Sequence, residues 1–432
     1  MRLRRGVALV LATAGTAAVL TIAGALASTP SDAPPAKSAT ATRSAAANGI
    51  AGLQDRLRRA PGDWQGWVAL GDAYLEAART SGDPSYYRKA DEAFARSLSL
   101  RPDDNADAVT GQAALAAARH DFAAARTLAQ RAQRIDSFNP AALAIESDAL
   151  IELGRYDDAS TAVEKLNSMK PSVAAYARAS YVWELRGDVD RATAAMELAL
   201  QSAATPGERT FAYYHLGQLA LDQGDVSAAR TRFVEGLRFD PGAPALVAGR
   251  ARVAAARGNL DAAVRDYRAS VTKLPQPGVI AELGDLYASM GRHAEAQAQY
   301  DVVLATQSLL AAAGQDVDLE MALFDADHGR PAEALKAARS VYAKRPSIFA
   351  EDALAWALHA NGRSEAALPH ARAALRLGTR NAQLHYHLGM VHSALGHEVA
   401  ARTHLERALR INPHFSPLHV PLARAELEKL AG

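Results

Sequence analysis

The sequence predicts an all-α solenoid of about ten helix–turn–helix units, and three spacings predict it. Ten alanines (Ala90, Ala125, Ala159, Ala192, Ala229, Ala263, Ala296, Ala334, Ala367 and Ala401) recur at gaps of 33 to 38 residues. Eight of them have a glycine five residues earlier: Gly154, Gly187, Gly224, Gly258, Gly291, Gly329, Gly362 and Gly396. Six have a proline twelve residues later: Pro102, Pro171, Pro241, Pro275, Pro346 and Pro413. A period of about 34 residues with punctuation at fixed offsets describes stacked supersecondary units, each burying its apolar face against its neighbours.

Taken in chain order, the first element is a targeting segment over residues 1–27. Arg2, Arg4 and Arg5 precede an uncharged run from Gly6 to Ala27, and Ala25-Leu26-Ala27 before Ser28 is an A-x-A cleavage pattern. The run of 22 residues exceeds an ordinary signal-peptide core, so a cleaved signal peptide and an N-terminal membrane anchor both fit. Arginines before the run and none just after it put the remainder outside the cytoplasm. Residues 28–49 are rich in Pro, Ala, Ser and Thr without an apolar stripe, and read as a flexible linker. Ile50, Leu53 and Leu57 mark a leading helix within 50–63. Repeats fill 64–413, and Leu418, Leu422, Leu427 and Leu430 give 414–432 the stripe of a capping helix.

One unit shows the logic. In Ala382–Phe415, Leu388, Val391 and Leu395 lie three to four residues apart, as do Ala401, Leu405 and Ala408. Gly396-His397 reads as the turn between the two helices, and Asn412-Pro413 as the stop, because proline cannot continue a helix interior. Gly389 and Ala401 leave room for close approach of the two helices.

This unit resembles the tetratricopeptide repeat. So does the unit from Thr210, with Leu216-Gly217, Gly224-Asp225, Ala229, Phe233 and Pro241, and the first unit, with Trp67, Leu70, Gly71, Tyr74, Ala90, Phe94 and Pro102. The likeness departs from pattern at an extra segment around Arg79–Ser85, at His120 where the turn glycine is expected, and in the stretched unit ending near Gly314. It implies a right-handed superhelix whose first helices line a concave groove. In that groove it picks out Phe211, Tyr214, Gln218 and Leu221. In later units it picks out Phe349, Asp352, Trp356 and His359, then Gln383, Tyr386, Met390 and Ser393, with Tyr181, Arg252 and Asp285 on the same face elsewhere. Aromatic, Met and Arg side chains suit an interface, and Tyr214, Trp356 and Tyr386 are the expected anchors; for Trp356 a core position is the competing reading. The resemblance also implies that Gly217 and Ala229 meet in one tight helix–helix contact.

Composition narrows the function. Formal net charge is +1, from 48 basic and 47 acidic residues, which lacks the basic excess of a nucleic-acid binder. The chain has no cysteine, which excludes disulfides, thiolate metal sites and a lipid-modified cysteine. His397-Glu398 starts like a zinc-protease helix, but Ala401 stands where the second histidine is required. No phosphate loop, nucleophile elbow or cofactor motif occurs, so no enzyme and no cofactor are expected. Eight of the 13 histidines lie between His370 and His419. His385 and His392, two helical turns apart, read as packed interior or edge residues, with a metal-binding patch as the alternative. The expected function is an extracytoplasmic scaffold or adaptor holding a protein or peptide in the concave groove; metal handling by the His-rich end is the second reading. The membrane enters only through the N-terminal segment.

Overall fold

The computed structural model describes residues 39–431, with side chains from residue 49 onward. The expected leader, 1–27, and the linker up to residue 38 lie outside the described residues. Among the described residues there are 22 helices and no strand, and no helix is long and apolar enough to cross a membrane.

The first helix, α1 (Ala39–Arg59), overlaps the linker expected to run to residue 49 and begins eleven residues before the expected leading helix. The alanines of its first half carry the best helix propensity and extend the turn nucleated around Leu53 and Leu57.

Ten hairpins follow. They are α2 (Trp64–Ser81) with α3 (Ser85–Leu100), α4 (Ala106–Ala118) with α5 (Phe122–Ile135), α6 (Pro140–Glu152) with α7 (Tyr156–Met169), α8 (Val173–Leu185) with α9 (Val189–Ser202), and α10 (Pro206–Asp222) with α11 (Val226–Phe239). The second five are α12 (Pro244–Ala256) with α13 (Leu260–Lys273), α14 (Pro277–Ser289) with α15 (His293–Ala312), α16 (Asp318–Asp327) with α17 (Pro331–Lys344), α18 (Ile348–Ala360) with α19 (Ser364–Ala374), and α20 (Ala382–Ala394) with α21 (Glu398–Ile411). Helix α22 (His419–Ala431) closes the array.

Two of the hairpin turns show the device most fully. Gly187 and Gly224 take φ of 72° and 76°, the left-handed conformation that ends the first helix. The next residue, Asp188 or Asp225, accepts from the backbone N–H three residues on and starts the second. The periodic alanines Ala159, Ala192, Ala229 and Ala401 are fully buried. The room left by Gly217, however, is filled by Phe233 rather than met by Ala229. A Cβ on Gly217 would stand 2.4 Å from Phe233 Cε1, and one on Gly249 of the next unit 2.5 Å from the same atom. One buried ring thus joins two units, a contact of roughly 1.5–3 kcal/mol by area.

The superhelix winds tightly enough for successive turns to touch. Arg345 Nη1 donates to Glu152 Oε2 at 2.8 Å, and Ile348 N–H to the Tyr156 hydroxyl at 2.8 Å. Asn412 Nδ2 donates to the Leu221 carbonyl at 2.9 Å. These partners are 193, 192 and 191 residues apart. Turns of the early units therefore abut linkers of the late ones: Gly154 faces Pro346, Gly187 faces Gly378, and Gly224 faces Ile411 and Pro413. His120 belongs to this seam. It holds φ 61° without being glycine, and its Nδ1 lies 2.8 Å from the Asp316 carbonyl, while Asp316 N–H donates to the Arg119 carbonyl at 3.0 Å.

Candidate concave binding site

The first helices α8, α10, α12, α14, α16, α18 and α20 lie side by side, and their facing residues interlock from unit to unit. Gln218 Nε2 donates to Asp222 at 2.8 Å, and Arg252 donates to Gln218 at 3.2 Å and to both oxygens of Glu282 at 2.8 and 2.9 Å. The hydroxyl of Tyr267 donates to Glu282 at 3.0 Å and that of Tyr300 to Asp285 at 2.9 Å; His328 Nε2 reaches Asp285 at 3.0 Å.

At the C-terminal end the same face is closed. Trp356 Nε1 donates to Asp327 at 2.6 Å, and its ring stacks on His387 with centroids 4.1 Å apart and planes 12° apart. His387 in turn bonds the buried Asp352 at 2.9 Å, and Tyr386 stacks on His419 at 4.7 Å. Trp356 is 8 % exposed, Tyr386 0 % and Tyr181 5 %. The expected anchors Trp356 and Tyr386 are therefore core, together with Leu405, Ala408 and Ala423. The cause is geometric: a large side chain on the inner face of one first helix is covered by the first helix of the next unit and, at the end of the array, by α22.

The other expected residues divide. Tyr214 is half-buried, its ring edge-on to His215 at 5.0 Å. Phe211 lies against His215 at 4.3 Å. Phe349 and Met390 pack on core clusters, and His359 stacks on Trp356 at 5.1 Å. Tyr181 and Gln218 do come together with Arg252 close by. They line a concave cavity with Ser180, Glu184, Met196, His215 and Asp222.

This cavity has an unusual charge balance. Glu184 is pushed up to about 8 by burial, with the nearby Asp222 adding repulsion. Asp222 is raised to about 6 by burial, against the pull of the Gln218 amide and Arg252. Burial lowers His215 to about 4, so it offers no positive charge. The Tyr181 hydroxyl is buried and has no hydrogen-bond partner among the described residues. The cavity thus presents carboxyl groups and an acceptor-capable hydroxyl to a hydrogen-bond donor or a cation. Sequence reasoning missed Glu184, Asp222 and His215. Glu184 and Asp222 stand one helical turn beyond Tyr181 and Gln218, the one signal that could have found them.

The repeat, its hairpin turns and its concave face define a class. The tetratricopeptide repeat model matches residues 146–208, 214–276 and 353–414, and the chain is a member of the tetratricopeptide repeat superfamily. No curated protein matches it. Among solved structures, the Cut9–Hcn1 hetero-tetramer of the APC/C aligns at 14 % identity over 90 % of this chain and 94 % of that one, with a TM-score of 0.39. A tetratricopeptide repeat protein from Parabacteroides merdae aligns at 16 % identity over 60 % of this chain and 99 % of that one, TM-score 0.36. The human IFIT1 dimer with PPP-AAAA aligns at 16 % over 81 % and 72 %, TM-score 0.39.

Proposed function

We propose that this chain is a non-catalytic adaptor that holds a protein partner on its concave face, outside the cytoplasmic membrane, and that the Glu184–Asp222 carboxyl pair meets a cationic side chain of that partner at the rim of their water-sized cavity. The observation that carries the reading is the carboxyl pair itself. Glu184 makes no ion pair among the described residues, and both carboxyls are held above their ordinary range. A lysine or arginine brought against the rim of the cavity would favour the ionised form of both carboxyls. Asp72 on α2 repeats the situation, pushed up to about 6 by burial and then by Asp107. The export half of the reading is supported by Arg2, Arg4 and Arg5, the uncharged run after them and Ala25-Leu26-Ala27.

The test is affinity capture from cell-envelope extract with the tagged chain and with the Glu184→Gln/Asp222→Asn double variant, read by mass spectrometry. The adaptor reading expects a defined partner set with the wild type, depleted several-fold by the double variant. Identical sets would remove the cavity from the interface. Fractionation that finds the chain only in the cytosol, with Met1 intact, would remove the export half.

A further inference from the structure

Of the five histidines in the hairpin α20–α21, four form two facing pairs, the fifth, His387, being the one that bonds Asp352. His385 Nδ1 lies 3.0 Å from His404 Nδ1, and His392 Nδ1 lies 3.1 Å from His397 Nδ1. Each pair is symmetric about the Ala394–Leu395 bond, because residues seven apart on one helix face residues seven apart on the other. The pairs are also joined, since the His392 and His404 rings lie parallel within 10° at 5.8 Å. No carboxylate bonds any of the four among the described residues, and the Nδ1 atoms of each pair face one another.

We propose that the paired histidines of this hairpin chelate a borderline divalent transition-metal ion such as Zn²⁺ or Ni²⁺, with His385 and His404 as the principal pair. Two nitrogens bound tetrahedrally to zinc stand about 3.3 Å apart and their ring centroids about 5.2 Å apart, given a metal–nitrogen distance of about 2.05 Å. The His385–His404 pair already has its nitrogens at 3.0 Å and its centroids at 5.3 Å. Little movement separates the free hairpin from a chelating one. Among the described residues no group of three metal-binding side chains is arranged to hold a metal, so the site is a pair whose remaining coordination positions water fills. Arg372 and Arg407 lie close enough to oppose a cation here, which weakens the site. The pair lies between the helices of the last hairpin, apart from the Glu184–Asp222 cavity, so the two readings stand or fall separately.

Isothermal titration of the full chain with ZnCl₂ and with NiCl₂ tests the site. Saturable binding of at least one equivalent is expected, together with a rise in melting temperature in excess metal. His404→Gln and His385→Gln should each weaken it at least tenfold, whereas His293→Gln, an exposed histidine on α15, should leave it unchanged. Circular dichroism identifies a variant that fails to fold; the other variant of the pair then decides. No saturation with the wild type would mean that the rings only share a proton, and would overturn the proposal. So would binding that both folded variants retain to within tenfold.

Discussion

Arg345 and Glu152 form an ion pair across 193 residues, with side chains 3 % and 7 % exposed. It ties α6 to the linker after α17, two elements one superhelical turn apart. Removing one partner leaves the other charge buried, so Arg345→Ala or Glu152→Ala should cost about 3–5 kcal/mol. Replacing both by apolar residues of similar volume, Arg345→Met with Glu152→Leu, should recover most of that loss. Urea unfolding of the three variants checks the order. A double variant as unstable as the single ones would point to a second function of the pair in packing.

His120 makes a finer test of the same seam. Its φ of 61° costs a side chain roughly 1–2 kcal/mol, which glycine would not incur. His120→Ala should therefore destabilise more than His120→Gly, because alanine keeps the strain and loses the bond to Asp316. Thermal melts of the pair suffice. If the two variants melt together, the backbone there is not under strain.

Trp356→Ala should unfold the C-terminal units rather than impair a free surface. Loss of a buried Trp costs about 3–5 kcal/mol, and here it also strips Asp327 of a donor. Because a repeat array unfolds through its neighbours, hydrogen exchange should rise first in α18, α20 and α22. Protection unchanged in those helices would argue that the indole is not part of the core.

Glu184 gives a pH signature. In the folded chain its carboxyl keeps its proton to about 8, against an ordinary value of 4.5, so the unfolded state binds fewer protons between those values. Stability attached to this group is complete below pH 4.5 and is lost as pH rises through about 8. Glu184→Gln should therefore match wild type near pH 5 and exceed it near pH 9 by roughly 3 kcal/mol, less than the full linkage because the side chain is only half-buried. Asp222, raised to about 6, adds a smaller loss in the same direction at lower pH. Denaturant midpoints at the two pH values read it directly, and parallel shifts in both proteins would remove Glu184 as the source.

The helix hairpins were legible because each is set by residues close in the chain: in one unit Gly224 for the turn, Asp225 for the cap, and Gly217 with Phe233 for the contact. The concave face was less so. Its direction could be read from helical spacing, which placed Tyr181 and Gln218 on one wall. Whether a residue there is open or covered depends on the rotation between units, a quantity that no single unit encodes. Hence Tyr386 was placed on the open face, Trp356 stayed between groove and core, and Glu184 and Asp222 went unseen. The seam was invisible for the same reason, although the histidine at position 120, standing where glycine was expected, was its one visible trace.

The seam also changes what kind of object the array is. A chain of interchangeable repeats can ordinarily gain or lose one by duplication, since each unit answers only to its neighbours. Here Arg345 must find Glu152, and Asn412 must find Leu221, at the same stagger. Adding or removing a single unit between α11 and α16 would leave every hairpin sound yet throw all of these contacts out of step. The number of units within one winding is thus counted by the fold, and the molecule behaves less like an extensible string than like a thread cut to one pitch.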